Sequence, residues 1–361
     1  MIASWAQEPV RIGRVTERIE TLKAQGQRFT AVSILERIEP TEEVTALWSG
    51  ACTKATVLKY NEAASMALLA SSPQHIALSI PTANGEMVLE MQRTDIVTDD
   101  FILRSSTGDH IEVPIGIHYR GMIQGVAGSI AAISFYEEEV MGIISDASGE
   151  TILGRFAQAS DGLHVWYHED DLRRTSGAVC STPDDGERYS DEQLVLSEGE
   201  RTTRCVELYW EVAYDIVQNK GSVSNATNYV LGLFNQSAIL YDNDAIDILL
   251  SEVFVWSSAS PYNATSSSGR LDQFGDIRTS FNGDLAHLLD LGSYGGIAWL
   301  NTLCSSSYYR MAYSGINTTY QNVPTYSWSV EVVTHEQGHN MGSKHTHACA
   351  WNGNNTAIDG C

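Results

Sequence analysis

The stretch His335-Glu336-Gln337-Gly338-His339-Asn340-Met341-Gly342-Ser343-Lys344-His345 reads HExxHxxGxxH, and that spacing leaves little freedom to the local fold. A helix over about Ser329 to Met341 puts His335 and His339 one turn apart on one face. Gly342 can adopt the left-handed conformation that ends a helix, so the chain turns back and His345 approaches from another direction. Three imidazoles then surround one point, with a fourth position open. This is a donor set for Zn2+, one ion per site. Glu336 follows the first histidine and is placed to take a proton from a water in the fourth position, whose pKa zinc lowers to about 7. His347 stands two residues beyond His345, either as a fourth ligand or as a loop histidine.

The 361 residues are 43% hydrophobic and 19% charged, a globular composition with length for two domains. A formal charge of -23 argues against nucleic acid or anionic lipid as partner, since phosphate repels it. No run approaches the roughly 18 apolar residues of a membrane span. Met1 to Gln7 is similar to the end of a secretory signal, with Ser4 and Ala6 at the small-residue positions, so residues 1–6 are read as a signal-peptide remnant. Cys52, Cys180, Cys205, Cys304, Cys349 and Cys361 are compatible with an oxidising, extracellular compartment.

Along the chain, Ile12, Val15, Ile19 and Leu22 mark a helix over 11–23, and a second is expected over Leu58 to Ala70. Short strands follow: Ile76 to Ile80, a turn at Asn84-Gly85, Met87 to Met91, Ile111 to Tyr119, Ser129 to Phe135, Val140 to Ser145 and Leu163 to Tyr167. Residues 181–204 are crowded with Asp and Glu and read as an exposed acidic linker. Val206 to Ile216 alternates as a strand with one buried face. A helix over Tyr229 to Tyr241, a strand over Ile246 to Trp256, a helix near Leu271 to Phe281 and strands near Leu285 to Leu289 and Ile297 to Leu300 complete an alternation that predicts an α/β unit.

With these residues in view, the segment from Cys205 to Cys361 resembles the metzincin zinc endopeptidases, most closely the reprolysin (adamalysin) branch in a secreted microbial form. The resemblance rests on His335 to His345, on Gly295-Gly296-Ile297-Ala298-Trp299-Leu300 and on the tail His345 to Trp351. Typical reprolysins place Asp directly after the third histidine, where this chain has Thr346. The resemblance implies zinc ligands His335, His339 and His345, Glu336 as general base, and protein or peptide substrates pairing with an edge strand at Gly296, Ile297, Ala298 and Trp299; an ordinary core strand is the other reading of those four. Residues 7–180 are similar to a reprolysin-type propeptide through His118-Tyr119-Arg120-Gly121. Such propeptides hold the enzyme silent with a thiolate on zinc, and Cys180 is the candidate, against a disulfide or inert core thiol. Maturation would cut at Arg201-Thr202-Thr203-Arg204, unless that segment is an uncut lead-in to the next strand.

The expected fold is therefore an α+β, mainly β propeptide region (7–180), an acidic linker (181–204), and an α/β metzincin-like domain (205–361) with a twisted mixed sheet and an active-site helix. Metzincins carry a Met-turn after the third histidine, and no Met follows His345; the chain is accordingly expected to lack most of the lower subdomain. The function implied is that of a secreted zymogen of a zinc endopeptidase. A non-catalytic zinc-stabilised binding module and an inactive truncated fragment stand as alternatives, and the retained Glu336 speaks against the first.

Overall fold

The computed structural model describes residues 13–108, 111, 115–157, 162–173, 180–184, 186–190, 205–316, 323–324, 326–351 and 356–358. The signal-like residues 1–6, the arginines of 201–204 and Cys361 lie outside them. Two sheets organise the rest.

The first sheet comes from the N-terminal half. Its strands are β1 (Thr30–Val32), β2 (Leu35–Arg37), β3 (Thr56–Tyr60), β4 (His75–Thr82), β5 (Gly85–Thr94), β7 (Ile117–Ile123), β8 (Ile130–Phe135), β9 (Val140–Asp146), β10 (Gly149–Arg155) and β11 (Leu163–His168). They lie in the order β1-β4-β5-β7-β8-β9-β10-β11-β3-β2. Every pairing is antiparallel except β1 with β4, as expected where short turns join consecutive strands. Helices α1 (Arg14–Ala24), α2 (Glu42–Trp48) and α3 (Glu62–Ser71) accompany it.

The expected helix over Leu58 to Ala70 divides in two. Val57, Leu58 and Tyr60 form β3, and α3 starts only after Asn61, whose side chain accepts from Ala64 N–H at 3.0 Å. The N-cap breaks the periodicity that had read as one element. Similarly, the strand expected from Ile111 is observed over Ile117–Ile123.

The second sheet runs β15-β16-β14-β12-β13-β6, built from β12 (Val206–Val212), β13 (Ile248–Val255), β14 (Leu285–Asp290), β15 (Gly296–Ala298), β16 (Met311–Gly315) and, from the N-terminal half, β6 (Val97–Ser105). All pairs are parallel except β15 with β16, so the sheet is mixed as expected. Its helices are α4 (Tyr214–Lys220), α5 (Val223–Asn243), α6 (Ser267–Ile277) and α7 (Tyr326–Asn340).

The single-faced strand expected over Val206–Ile216 is corrected twice. It stops at Val212, where α4 begins and continues the apolar spacing with buried Ile216 and Val217. Both its faces are buried, because it is an inner strand of a parallel sheet. The polar face survives burial through Glu211, whose carboxylate accepts from Tyr209 Oη, Trp256 Nε1 and Arg278 Nε, each at 2.7 Å, and from Tyr262 Oη.

Helix α5 lies between the sheets, packed on β8, β9, β13 and α7. Gly232 is its point of closest approach: a Cβ there would overlap the Met141 sulfur of β9. One apolar cluster runs through both halves, joining Val57, Met141, Ile152 and Val165 to Trp210, Leu233, Leu250 and Val333. The HYRG sequence reaches this junction through Arg120. His118 Nδ1 pairs with Ser134 Oγ at 2.8 Å, Tyr119 Oη donates to Pro73 O at 2.7 Å, and Arg120 Nε reaches Asn235 Oδ1 of α5 at 3.0 Å.

Candidate metal centre

Helix α7 ends as its glycine requires. Gly342 adopts φ 101°, Ser343 N–H bonds Gly338 O at 2.8 Å and Gly342 N–H bonds His339 O at 2.9 Å, the paired closure of a Schellman motif. The turn brings His345 back over the helix. Ring centroids lie 4.5 Å apart for His335 and His339, 5.2 Å for His335 and His345, and 4.6 Å for His339 and His345. The helix end is anchored by Asn340, whose buried Nδ2 donates to Trp299 O at 2.8 Å and Met311 O at 3.1 Å. Sequence reasoning passed over Asn340, which holds the motif against the segment after β15.

Cys180 joins the three histidines. Its Sγ lies 3.5 Å from His339 Nε2, and the donor atoms of Cys180, His335, His339 and His345 all fall within 4.8 Å of one another. His347 stays outside this set: it is half-exposed and stacked on His345 at 4.8 Å and 11°.

The residues fit a zinc ion. His339 Nδ1 donates to Ser343 O at 2.7 Å and His345 Nδ1 donates to Asp184 Oδ1 at 2.8 Å, so both Nε2 atoms present lone pairs. Those two lone pairs face each other at 3.2 Å. Such a contact is repulsive unless a cation sits between them. Bonds of about 2.0 Å to nitrogen and about 2.3 Å to sulfur give tetrahedral edges of about 3.3 Å (N to N) and about 3.5 Å (N to S), close to the observed separations. Buried His335 Nε2 has no hydrogen-bond partner among the described residues.

Electrostatics agree with a donor set suited to a cation. Burial, then the neighbouring histidines, lowers His335 to about 4, and burial also lowers His339; both imidazoles are neutral ligands at neutral pH. Burial and the Glu336 charge push the Cys180 thiol up, and burial holds the Glu336 carboxyl well above the usual carboxylate range. Thr182 N–H donates to Cys180 Sγ at 3.3 Å.

Glu336 is buried and packs against β15. A Cβ on Gly296 would fall 2.6 Å from Glu336 Cγ and 2.7 Å from Cδ, so glycine is what lets the carboxylate reach the strand. Gly296→Ala is expected to cost about 1–3 kcal/mol by overpacking, measured as a lower denaturation midpoint; an unchanged midpoint would show that Glu336 swings aside freely.

Strand β15 is the sheet edge, and residues 180–182 lie along it. Cys180 bridges Gly296 in parallel, Ser181 N–H donates to Gly296 O at 2.9 Å, and Ala298 N–H donates to Thr182 Oγ1 at 2.9 Å. Thr182 Oγ1 also lies 3.3 Å from Glu336 Oε2. Trp299 follows the strand, half-buried beside Tyr308 and Tyr309. The described part of the expected exposed linker therefore hugs the catalytic half. Thr182 is buried, and Tyr189 Oη donates to Gly342 O at 2.8 Å and accepts from Lys344 N–H at 2.9 Å. The acidic composition hid this because backbone, Thr and Tyr groups make most of the contacts.

A helix bearing two histidines, a glycine turn returning a third, and a mixed sheet ending in an antiparallel edge strand define a metzincin-type metal centre. The family model for the reprolysin branch, described as metallo-peptidase family M12, matches residues 202–361. That segment is a reprolysin-like metallopeptidase domain. Among curated proteins, the chain is similar to human disintegrin and metalloproteinase domain-containing protein 9, 24% identical over 318 residues, covering 75% of this chain and 36% of the relative. The chain thus spans little more than a third of that relative's length. Among solved structures, metalloproteinase-II from Bacteroides fragilis aligns with a TM-score of 0.43 at 9% identity, over 92% of this chain and 94% of that one.

Proposed function

We propose that this chain is the latent form of a secreted zinc endopeptidase that hydrolyses internal peptide bonds of proteins. The observation that carries the reading is the convergence of Cys180 with His335, His339 and His345 beside buried Glu336. His335, His339 and His345 would hold the ion, and Cys180 would close its fourth position. When bound, zinc would polarise a peptide carbonyl and acidify a water molecule. Secretion enters the reading through the likeness of the motif region to secreted metzincins.

The chain's own residues do the rest. In the latent state Cys180 takes the place of water, and Ser181 and Thr182 satisfy the β15 backbone groups that an extended substrate would use. Once this segment leaves, Gly296, Ile297 and Ala298 offer N–H and C=O groups to a substrate strand. An apolar cavity of ≈ 240 Å³ between β15 and α6, lined by Leu271, Ile297 and Trp299 of the catalytic half and in the latent state also by Pro183 of the departing segment, would take a side chain. Glu336 then accepts the proton of the attacking water and returns it to the leaving amine.

The test pairs casein cleavage, with and without a zinc chelator, on the intact chain and on chain treated by limited proteolysis between 191 and 204. Chelator-sensitive activity is expected only after the cut. Glu336→Gln is expected to lower it by about 10²–10⁴-fold while keeping zinc. Zinc-loaded protein that has been cut and separated from its N-terminal half and still cleaves nothing would sink the reading, as would a Glu336→Gln variant with full activity.

A further inference from the structure

The three histidines differ in how their second nitrogens are held. His339 Nδ1 donates to Ser343 O, a group inside its own motif. His345 Nδ1 donates to the Asp184 carboxylate at 2.8 Å, from a residue 161 positions earlier in the chain. The residue after His345 is Thr346, so the motif supplies no carboxylate of its own at that point. The same early segment grips the loop around His345 on several atoms. Tyr189 Oη bonds Gly342 O and Lys344 N–H, Lys344 Nζ donates to Glu187 O at 2.7 Å, and the Tyr189 ring lies 4.9 Å from Trp351. Trp351 Nε1 in turn donates to His345 O at 2.8 Å.

We propose that Asp184 is a positioning residue of the metal centre: it fixes the His345 tautomer and ring from the segment that precedes the catalytic half, so zinc is held more tightly with that segment in place than without it. This rests on the zinc reading above. A carboxylate accepting Nδ1–H leaves the lone pair on Nε2, directed at the other donors, and makes that nitrogen more basic. The segment then acts on the site twice, through the Cys180 sulfur and, independently, through an imidazole it does not replace. Its removal would leave His345 with a wider choice of tautomer and rotamer.

The experiment is zinc competition against a chromophoric chelator, with zinc as the probe, on the intact wild-type chain and on Asp184→Asn, Asp184→Ala and His347→Ala, beside metal-free melting curves. One zinc per chain is expected in each. Affinity is expected to fall about 10–100-fold in Asp184→Asn, at least as far in Asp184→Ala, and to hold in His347→Ala. Equal affinities for wild type and both Asp184 variants would overturn the proposal. So would a lower metal-free melting temperature with unchanged affinity of the folded chain, which marks a merely structural contact. Two zinc ions in wild type, with only the weaker lost in Asp184→Asn and in His347→Ala, would also overturn it, since Asp184, His345 and His347 would then hold an ion of their own. A wild-type chain that binds no zinc defeats the zinc reading itself and this inference with it.

Discussion

Replacing Asp242 with Ala is expected to destabilise the folded chain by about 3–5 kcal/mol, the cost of leaving buried charge without its counterion. Asp242 sits near the end of α5 and receives three guanidinium groups from the N-terminal half. Arg14 Nη2 reaches Oδ1 at 2.6 Å, Arg18 Nη2 reaches Oδ2 at 2.9 Å, and Arg120 Nη1 lies 3.5 Å from Oδ2. Arg14 and Arg18, four residues apart on one face of α1, can turn to water, being 24% and 29% exposed. Arg120, at 7%, cannot, and burial alone already lowers its affinity for a proton. Urea denaturation reads the effect as a lower midpoint at constant slope. A loss under about 1 kcal/mol would mean that water enters and solvates Arg120.

The same group gives a pH dependence. Burial would raise the Asp242 carboxyl, but Arg18, Arg120 and Arg14 together pull it down to about 2. A depressed carboxylate contributes stability that is complete above its unfolded pKa of about 3.9 and is lost as pH falls through the folded value. Wild type should therefore lose about 2 kcal/mol between roughly pH 4 and pH 2 through this group. That increment should be missing in Asp242→Ala.

His339→Ala is expected to abolish tight zinc binding, because it removes the imidazole whose Nε2 lies 3.5 Å from the Cys180 sulfur and 3.2 Å from His345 Nε2. Mass spectrometry should find about one zinc per wild-type chain and essentially none in the variant. The linked stability effect is large: zinc at about 1,000 times its dissociation constant stabilises a chain by about 4 kcal/mol. Added zinc should raise the wild-type melting temperature and leave the variant unmoved. A His339→Ala chain that retains stoichiometric zinc would show that the ion binds elsewhere.

The metal motif was legible because its information is local. Helical period, a glycine stop and three histidines within one short segment specify α7 and its turn without help from the rest of the chain. Most expected strands and the long α5 also appear, since their apolar spacing matches burial. What escaped depends on distant partners. Strand β6 includes Asp99 and Asp100 and becomes a strand by pairing with β13, about 150 residues later. Cys180 could be named only as one choice of several, because its neighbour His339 is 159 positions away. Thr182, Asp184 and Tyr189 sat in a stretch whose charge pointed to solvent. Glu211 looked like a surface residue because nothing in its alternation reveals that four donors would converge on it.

Strand β6 bears on what the proposed cleavage would release. It is the outermost strand on one side of the catalytic sheet, and it belongs to the half that precedes Cys205. A cut in the connecting segment severs the chain without breaking this ladder, so scission and departure are separate events with separate barriers. When the N-terminal half does leave, β13 from Ile248 to Val255 becomes an open edge, a row of unsatisfied backbone groups that invites pairing with any extended chain nearby. Under the proposed latency the early half would be a strand donor as well as a plug, and a freed domain would inherit an adhesive margin on the side of the sheet opposite β15.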